Sequence, residues 1–93
     1  MENEFEIMKT AIRKNGKPMQ TVVAIEELSE LQKELTKYIR GKGNKKGLTE
    51  ELADVLIMIT QVQLMYHIPD EEIREVMDFK LNRLKERIDK HES

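Results

Sequence analysis

Cysteine is absent from these 93 residues. Disulfides, Cys-ligated zinc and thiol nucleophiles are therefore excluded, and a reducing cytoplasm is the expected compartment. Tryptophan is absent too, and the four aromatics, Phe5, Tyr38, Tyr66 and Phe79, are scattered. That is no stacking platform for single strands. Neither sign of charge dominates: 16 Lys and Arg stand against 18 Asp and Glu, a net charge of -2. A phosphate backbone finds no global basic field, so no nucleic acid polymer is expected as a partner. The longest apolar run, residues 55–59, is far too short for a membrane span. The start, Met1-Glu2-Asn3-Glu4-Phe5-Glu6, lacks the basic and apolar blocks of a signal peptide.

What is present fits one domain, residues 1–93. Hydrophobic residues make up 39% and charged residues 37%, enough of the first to fold and of the second to leave solvated faces. A chain this short buries only roughly 60–65% of its unfolded surface, so its core is marginal alone.

Glycine and proline cluster at three breaks: Asn15-Gly16-Lys17-Pro18, the stretch from Gly41 to Gly47, and His67-Ile68-Pro69-Asp70. The segments between are rich in helix formers and show no sustained period of two. The pattern predicts an all-α fold with helices near 3–14, 18–40, 48–67 and 70–90. In the second, Ala24, Leu28, Leu31, Leu35 and Tyr38 form one helical stripe. In the fourth, Ile73, Val76, Met77, Leu81, Leu84 and Ile88 do the same. Its acids come early and its bases late, which suits the helix dipole. The third carries two stripes, one through Leu52, Val55, Leu56, Ile59, Val62 and Tyr66, the other through Ile57, Met58, Leu64, Met65 and Ile68. A helix apolar on two sides is buried on two sides, and a homodimer or homotetramer is expected to cover the second.

The chemistry-bearing residues are carboxylates. Glu27 and Glu30 are three apart on the second helix, as are Glu51 and Asp54 on the third, so each pair shares a face. Gln20, Glu27 and Glu34 lie at the edge of the apolar stripe. Glu51 and Asp54 lead toward Met58, Gln61 and Met65. Like charges at these spacings destabilise an isolated helix by roughly 0.2–0.5 kcal/mol per pair. A divalent cation would reverse that sign, and carboxylates without His or Cys suit a hard ion, Mg²⁺ or Mn²⁺. A di-iron bundle would need Glu-x-x-His, which neither His67 nor His91 supplies. The plain alternative is a solvated acidic face. Against it, the acids border apolar surface, and Lys33 and Lys37 do little to pair off Glu26 and Glu27.

One geometric difficulty arises. An antiparallel pair of helices turning near Asn44 sets Glu51 and Asp54 beside Lys37 and Glu34. Glu27 and Glu30 would then lie roughly 6–10 Å away along the axis, unless the loop doubles back. The loop bases Arg40, Lys42, Lys45 and Lys46 read as a solvated charge run, and the glycines make no Walker loop. His67 is expected to serve a helix dipole.

Glu26-Glu27-x-x-Glu30, then 20 residues, then Glu51-x-x-Asp54 resembles the signature of MazG-like all-α nucleoside triphosphate pyrophosphohydrolases. Gly16 followed by Gln20, the stretch Glu30-Leu31-Gln32-Lys33-Glu34-Leu35, the block from Glu51 to Met58, and Asp78-x-Lys80-Leu81-x-Arg83 extend the resemblance over residues of roughly 12–90. The resemblance implies a four-helix bundle assembled with other subunits. It implies Mg²⁺-dependent hydrolysis of an NTP or dNTP to the monophosphate and pyrophosphate, with Glu27, Glu30, Glu51 and Asp54 as metal ligands. Glu27 and Glu30 would be catalytic, Glu27 orienting the attacking water. Lys80 and Arg83 would meet the phosphates, with a snorkelling stem as the plain reading of Lys80 and a solvated cation that of Arg83. Gln20, on the Glu27 face, would meet base or sugar. The sequence-based alternative is a non-catalytic helical oligomer that binds nucleotides or docks a protein partner.

Overall fold

The computed structural model describes residues 3–92, so Met1 and Glu2 of the acidic start lie outside the described residues. Four helices account for nearly all of it: α1 (Glu4–Asn15), α2 (Lys17–Ile39), α3 (Lys45–Tyr66) and α4 (Asp70–Glu92). No strand occurs among the described residues. Local chemistry sets most of the ends. Asn3 caps α1 by accepting from the Glu6 amide at 2.9 Å. Pro18 sits in the first turn of α2, where a missing N–H costs nothing. Acids open α4 and Lys90 and His91 close it.

The second break is shorter than its glycines suggest. α2 ends in a Schellman motif: the Gly41 amide donates to the Tyr38 carbonyl and the Lys42 amide to the Lys37 carbonyl. This needs a left-handed residue, and Gly41 supplies it at φ 75°. Asn44 then caps α3, its Oδ1 accepting from the Gly47 amide at 2.7 Å. Lys45, Lys46 and Gly47 therefore belong to the first turn of α3, not to the loop. The expected start near residue 48 is corrected by that cap. At the far end, His67 takes the left-handed conformation at φ 56° and closes α3. It terminates the helix through its backbone, a role distinct from the expected dipole partner. Gln63 braces the corner, donating to the Ile68 carbonyl at 3.3 Å and to Asp70 Oδ1 at 2.8 Å.

α2 and α3 pair antiparallel and form the main packing of the chain, with α1 across one end. Among the described residues the buried apolar core is Met8, Ala24, Val55, Met58 and Met65. α4 leaves this group after a 115° bend and packs along none of the other helices. Its first turn alone approaches them, where Ile73 borders an apolar hollow lined by Ala24, Leu28, Val55 and Val62. The radius of gyration is 16.9 Å, against roughly 12 Å for a compact domain of this length. The four helices are thus as expected, but they do not close into a bundle within one chain.

The faces also depart from the periodicity. α3 turns Val55, Met58, Gln61 and Met65 inward, drawing on both of its stripes. Met58 and Met65, expected to need outside cover, are buried here, while Leu52, Leu56 and Ile59 face out. On α2, Leu28 and Leu35 of the expected stripe are exposed. The α2–α3 seam takes the polar edge instead. Among the described residues no single helix is long and apolar enough to cross a membrane; α3 and α4 would qualify only joined, across the bend.

Candidate metal centre

Three pairs mark the register of the α2–α3 seam. Gln20 Nε2 donates to Gln61 Oε1 at 2.7 Å. Two turns along, carboxylate oxygens of Glu27 and Asp54 lie within 4.8 Å of each other. Two turns further, a Cβ on Gly47 would lie 2.7 Å from Glu34 Oε1. Glycine at 47 thus leaves room for the Glu34 carboxylate to lie across the helix. This register places Glu27 opposite Asp54. The expected offset along the axis disappears because the Schellman turn and the Asn44 cap double the chain back, so α3 begins beside the last turns of α2.

The result brings carboxylate oxygens of Glu27, Glu51 and Asp54 within 4.8 Å of one another. Glu27 and Glu51 are half-buried and Asp54 is exposed. Glu51 Oε2 is buried with no hydrogen-bond partner. Burial, then the neighbouring Asp54, Glu51 and Glu30 charges, raise the Glu27 carboxyl above its ordinary range. Burial, then Asp54, Glu30, Glu34 and Glu50, do the same to Glu51. Burial and mutual repulsion disfavour the charged forms of Glu27 and Glu51, and a positive ligand would offset both.

Glu30 stands just outside this group. It is exposed, and Lys33 Nζ lies 3.3 Å from its Oε1. Lys33 thus engages Glu30 and not Glu26 or Glu27, and the Glu30 charge still acts on both Glu27 and Glu51. Glu26 points to solvent. Gln20 is not open to a ligand in this chain: it is 4% exposed, donates to Gln61, and accepts from Asn15 Nδ2 at 2.8 Å. Lys80 and Arg83 lie on the departing α4, exposed, with the Arg83 guanidinium 5.9 Å from the Phe79 ring. A single chain does not bring them to the carboxylates, because α4 turns away.

The chain matches no family model, no curated protein and no solved structure. The functional case therefore rests on these residues and their geometry.

Two participants, Glu34 and Gln61, are placed on these faces by the sequence but given no role by it. Glu34, its side chain only 12% exposed, presses its charge on Glu51 while Lys37 Nζ sits 3.6 Å from its Oε2. Gln61 is 5% exposed and anchors the seam. A signal was available: Gln20, Glu27 and Glu34 recur every seven residues, as do Gly47, Asp54 and Gln61. Two polar heptads on neighbouring helices point to one facing seam. Tyr66 closes the end beyond Gln61, its hydroxyl 2.9 Å from Thr21 Oγ1 and its ring 4.3 Å from Lys17 Nζ.

The donor set fits a hard divalent cation. It holds oxygen alone, carries excess negative charge, and offers one buried oxygen that lacks any donor. Mg²⁺ and Mn²⁺ match it better than zinc or copper, which favour His and Cys.

Proposed function

We propose that this chain is a MazG-like, Mg²⁺-dependent nucleoside triphosphate pyrophosphohydrolase, converting an NTP or dNTP to the monophosphate and pyrophosphate. The observation that carries the reading is the convergence of Glu27, Glu51 and Asp54 across the α2–α3 seam against their mutual repulsion. It joins the two halves of the acidic signature, which are distant in sequence. Glu27, Glu51 and Asp54, with Glu30 released from Lys33, would hold Mg²⁺; Mn²⁺ would serve in its place. The ion would supply charge neutralisation at the polyphosphate and a water made acidic enough to attack phosphorus. In that reaction the water oxygen bonds to phosphorus, the bond to the bridging oxygen breaks, and pyrophosphate departs. Glu27 would orient the water, since its carboxylate oxygen lies in the same cluster as those of Glu51 and Asp54 and can accept the water's proton. Lys80 and Arg83 reach the phosphates only if an α4 is laid over the seam.

The working form is a homodimer or homotetramer. Its support is the apolar surface left open on one chain: Leu52, Leu56 and Ile59 on α3, and Val76, Leu81, Leu84 and Ile88 on α4. Apolar side chains left exposed in rows along helix faces mark interaction surfaces. Light scattering at micromolar concentration should find no stable monomer.

Pyrophosphate release from the common NTPs and dNTPs, with and without Mg²⁺, tests the enzymatic reading. Absence of turnover across that panel would remove it. The same open apolar surface favours a second reading, a non-catalytic oligomer that binds nucleotides or a protein partner, and nucleotide binding without pyrophosphate release would select it.

A further inference from the structure

The α2–α3 seam contains a conflict. Its buried apolar part, Ala24, Val55, Met58 and Met65, is small and half methionine, which repacks at little cost. Such a surface does little to fix how two helices slide past each other. The carboxylates oppose the observed register outright, since Glu27, Glu51 and Asp54 repel one another, and Glu30 and Glu34 add to it. A slip of one turn would set Asp54 beside residues other than Glu27 and undo the alignment of these carboxylates. Something must hold the register before any cation arrives.

The Gln20–Gln61 pair has the properties required. Both side chains are buried. Their bond is short, directional and lies between the two helices. Asn15 fixes the Gln20 amide from the α1 end, leaving its Nε2 aimed at Gln61. A slip would strand both amides in an apolar seam, where an unpaired polar group is strongly disfavoured. A buried polar residue that sets register at the expense of apolar burial is a device known from coiled coils.

We infer that the Asn15–Gln20–Gln61 ladder is the register key of the α2–α3 hairpin, and that Gln20 and Gln61 are positioning residues for the carboxylate centre two turns away. This reassigns Gln20 from substrate contact to alignment. The inference about alignment of Glu27 with Asp54 as cation ligands rests on the metal-centre reading above; the register itself does not.

The test uses the absence of native cysteine. Spin labels are attached through Gln32→Cys and Thr49→Cys, both at exposed positions on the paired helices, in full-length chain diluted with unlabelled chain. The label distance is measured without metal, in the parent and in Gln20→Met/Gln61→Met, which keeps side-chain length and removes both amides. The parent should give one narrow distance. The double variant should broaden it or add a population displaced by about one turn, roughly 5 Å. Its melting temperature should hold or rise, because removing both partners together strands neither. A part that merely stabilised the fold would lower the melt and leave the distance narrow. Binding of Mn²⁺ alone, read by its own spectrum, should weaken at least about tenfold, the range carried by residues that orient metal ligands. Gln61→Glu keeps an acceptor at the same place and should retain the narrow distance; it also decides the matter should the double variant not fold. A narrow, unshifted distance in the double variant, or a broadened one in Gln61→Glu, overturns the inference. A parent that binds no Mn²⁺ while the double variant still broadens upholds the register key and removes the metal centre.

Discussion

The α2–α3 seam and the α4 arm are incomplete in opposite ways. The seam gathers the carboxylates of Glu27, Glu51 and Asp54, and among the described residues Glu51 Oε2 has no hydrogen-bond partner. The arm presents apolar side chains that no other described helix covers; Phe79 alone is 65% exposed. Charge crowding is local and can be answered by one small ion. Apolar exposure is spread along a whole helix and can be answered only by another surface. On the proposed function these are two separate completions, and each can be broken without the other.

The largest expected effect lies in the seam. Glu51→Ala removes the buried unpartnered oxygen and should cut turnover about a thousandfold or more, since several kcal/mol of charge stabilisation are lost at 1.36 kcal/mol per tenfold. Glu30→Ala should fall in the same direction but less deeply, because Glu30 already spends its charge on Lys33. In EDTA both variants should melt no lower than the parent. Steady-state pyrophosphate release beside thermal melts checks the pair, and parent-like rates in both would end the metal-site reading.

Next comes the arm. Leu81→Glu combined with Leu84→Glu places charge on the open stripe and should shift the assembly to monomer. The melt should fall by about 10 °C or more, as expected when a domain of this length loses a few kcal/mol of apolar burial. Light scattering reads the first effect and calorimetry the second. If neither moves, the arm is not an interface.

Metal loading should follow with a smaller shift. Mg²⁺ at ten times its Kd should add roughly 1.4 kcal/mol, which corresponds to about 5–10 °C in a domain of this size. Ca²⁺ should stabilise comparably and support little turnover, because its looser coordination positions water poorly. Glu27→Gln and Asp54→Asn should not respond to either ion.

Acidity sharpens the same contrast. Glu27 and Glu51 are raised above their ordinary value of 4.5 in the fold, so the folded chain binds more protons than the unfolded one from about that pH upward. Without metal, stability should therefore fall as pH rises from 4.5 through the raised values, and recover on acidification toward 4.5. Saturating Mg²⁺ should flatten this slope and itself bind more weakly in acid. An EDTA melt series that rises with pH over this window would contradict the crowding of the seam. The smallest effect belongs to the hinge between the regions: His67→Gly should add about 0.5–1 kcal/mol by relieving a left-handed backbone, seen as a small rise in the melt.

The helices were legible because their signals are local. Asn3, Pro18 and the charge order of α4 mark ends within a turn of the residues concerned. The loop was less so. Lys45-Lys46-Gly47 reads as coil by composition, yet Asn44 captures it as helix through a single side-chain bond. That one shift decides whether Glu27 meets Asp54. The acids themselves were legible as a set, since spacing and apolar borders are sequence properties. Their partners were not: Glu34 and Gln61 gain meaning only when two helices are in register. For α4, periodicity shows that a face is apolar and says nothing of what lies against it.

The loop of residues 40–44 joins helices that are neighbours in sequence, so nearly all of the packing within one chain is between adjacent elements. Contacts of such low order form early and fast, in microseconds to milliseconds for helical proteins. On the proposed assembly, covering α4 is by contrast an encounter between molecules, slower and set by how many are present. Refolding should then divide into a first phase indifferent to dilution and a second whose rate climbs with chain concentration. In between, the carboxylates are already aligned while the arm is still searching for its cover.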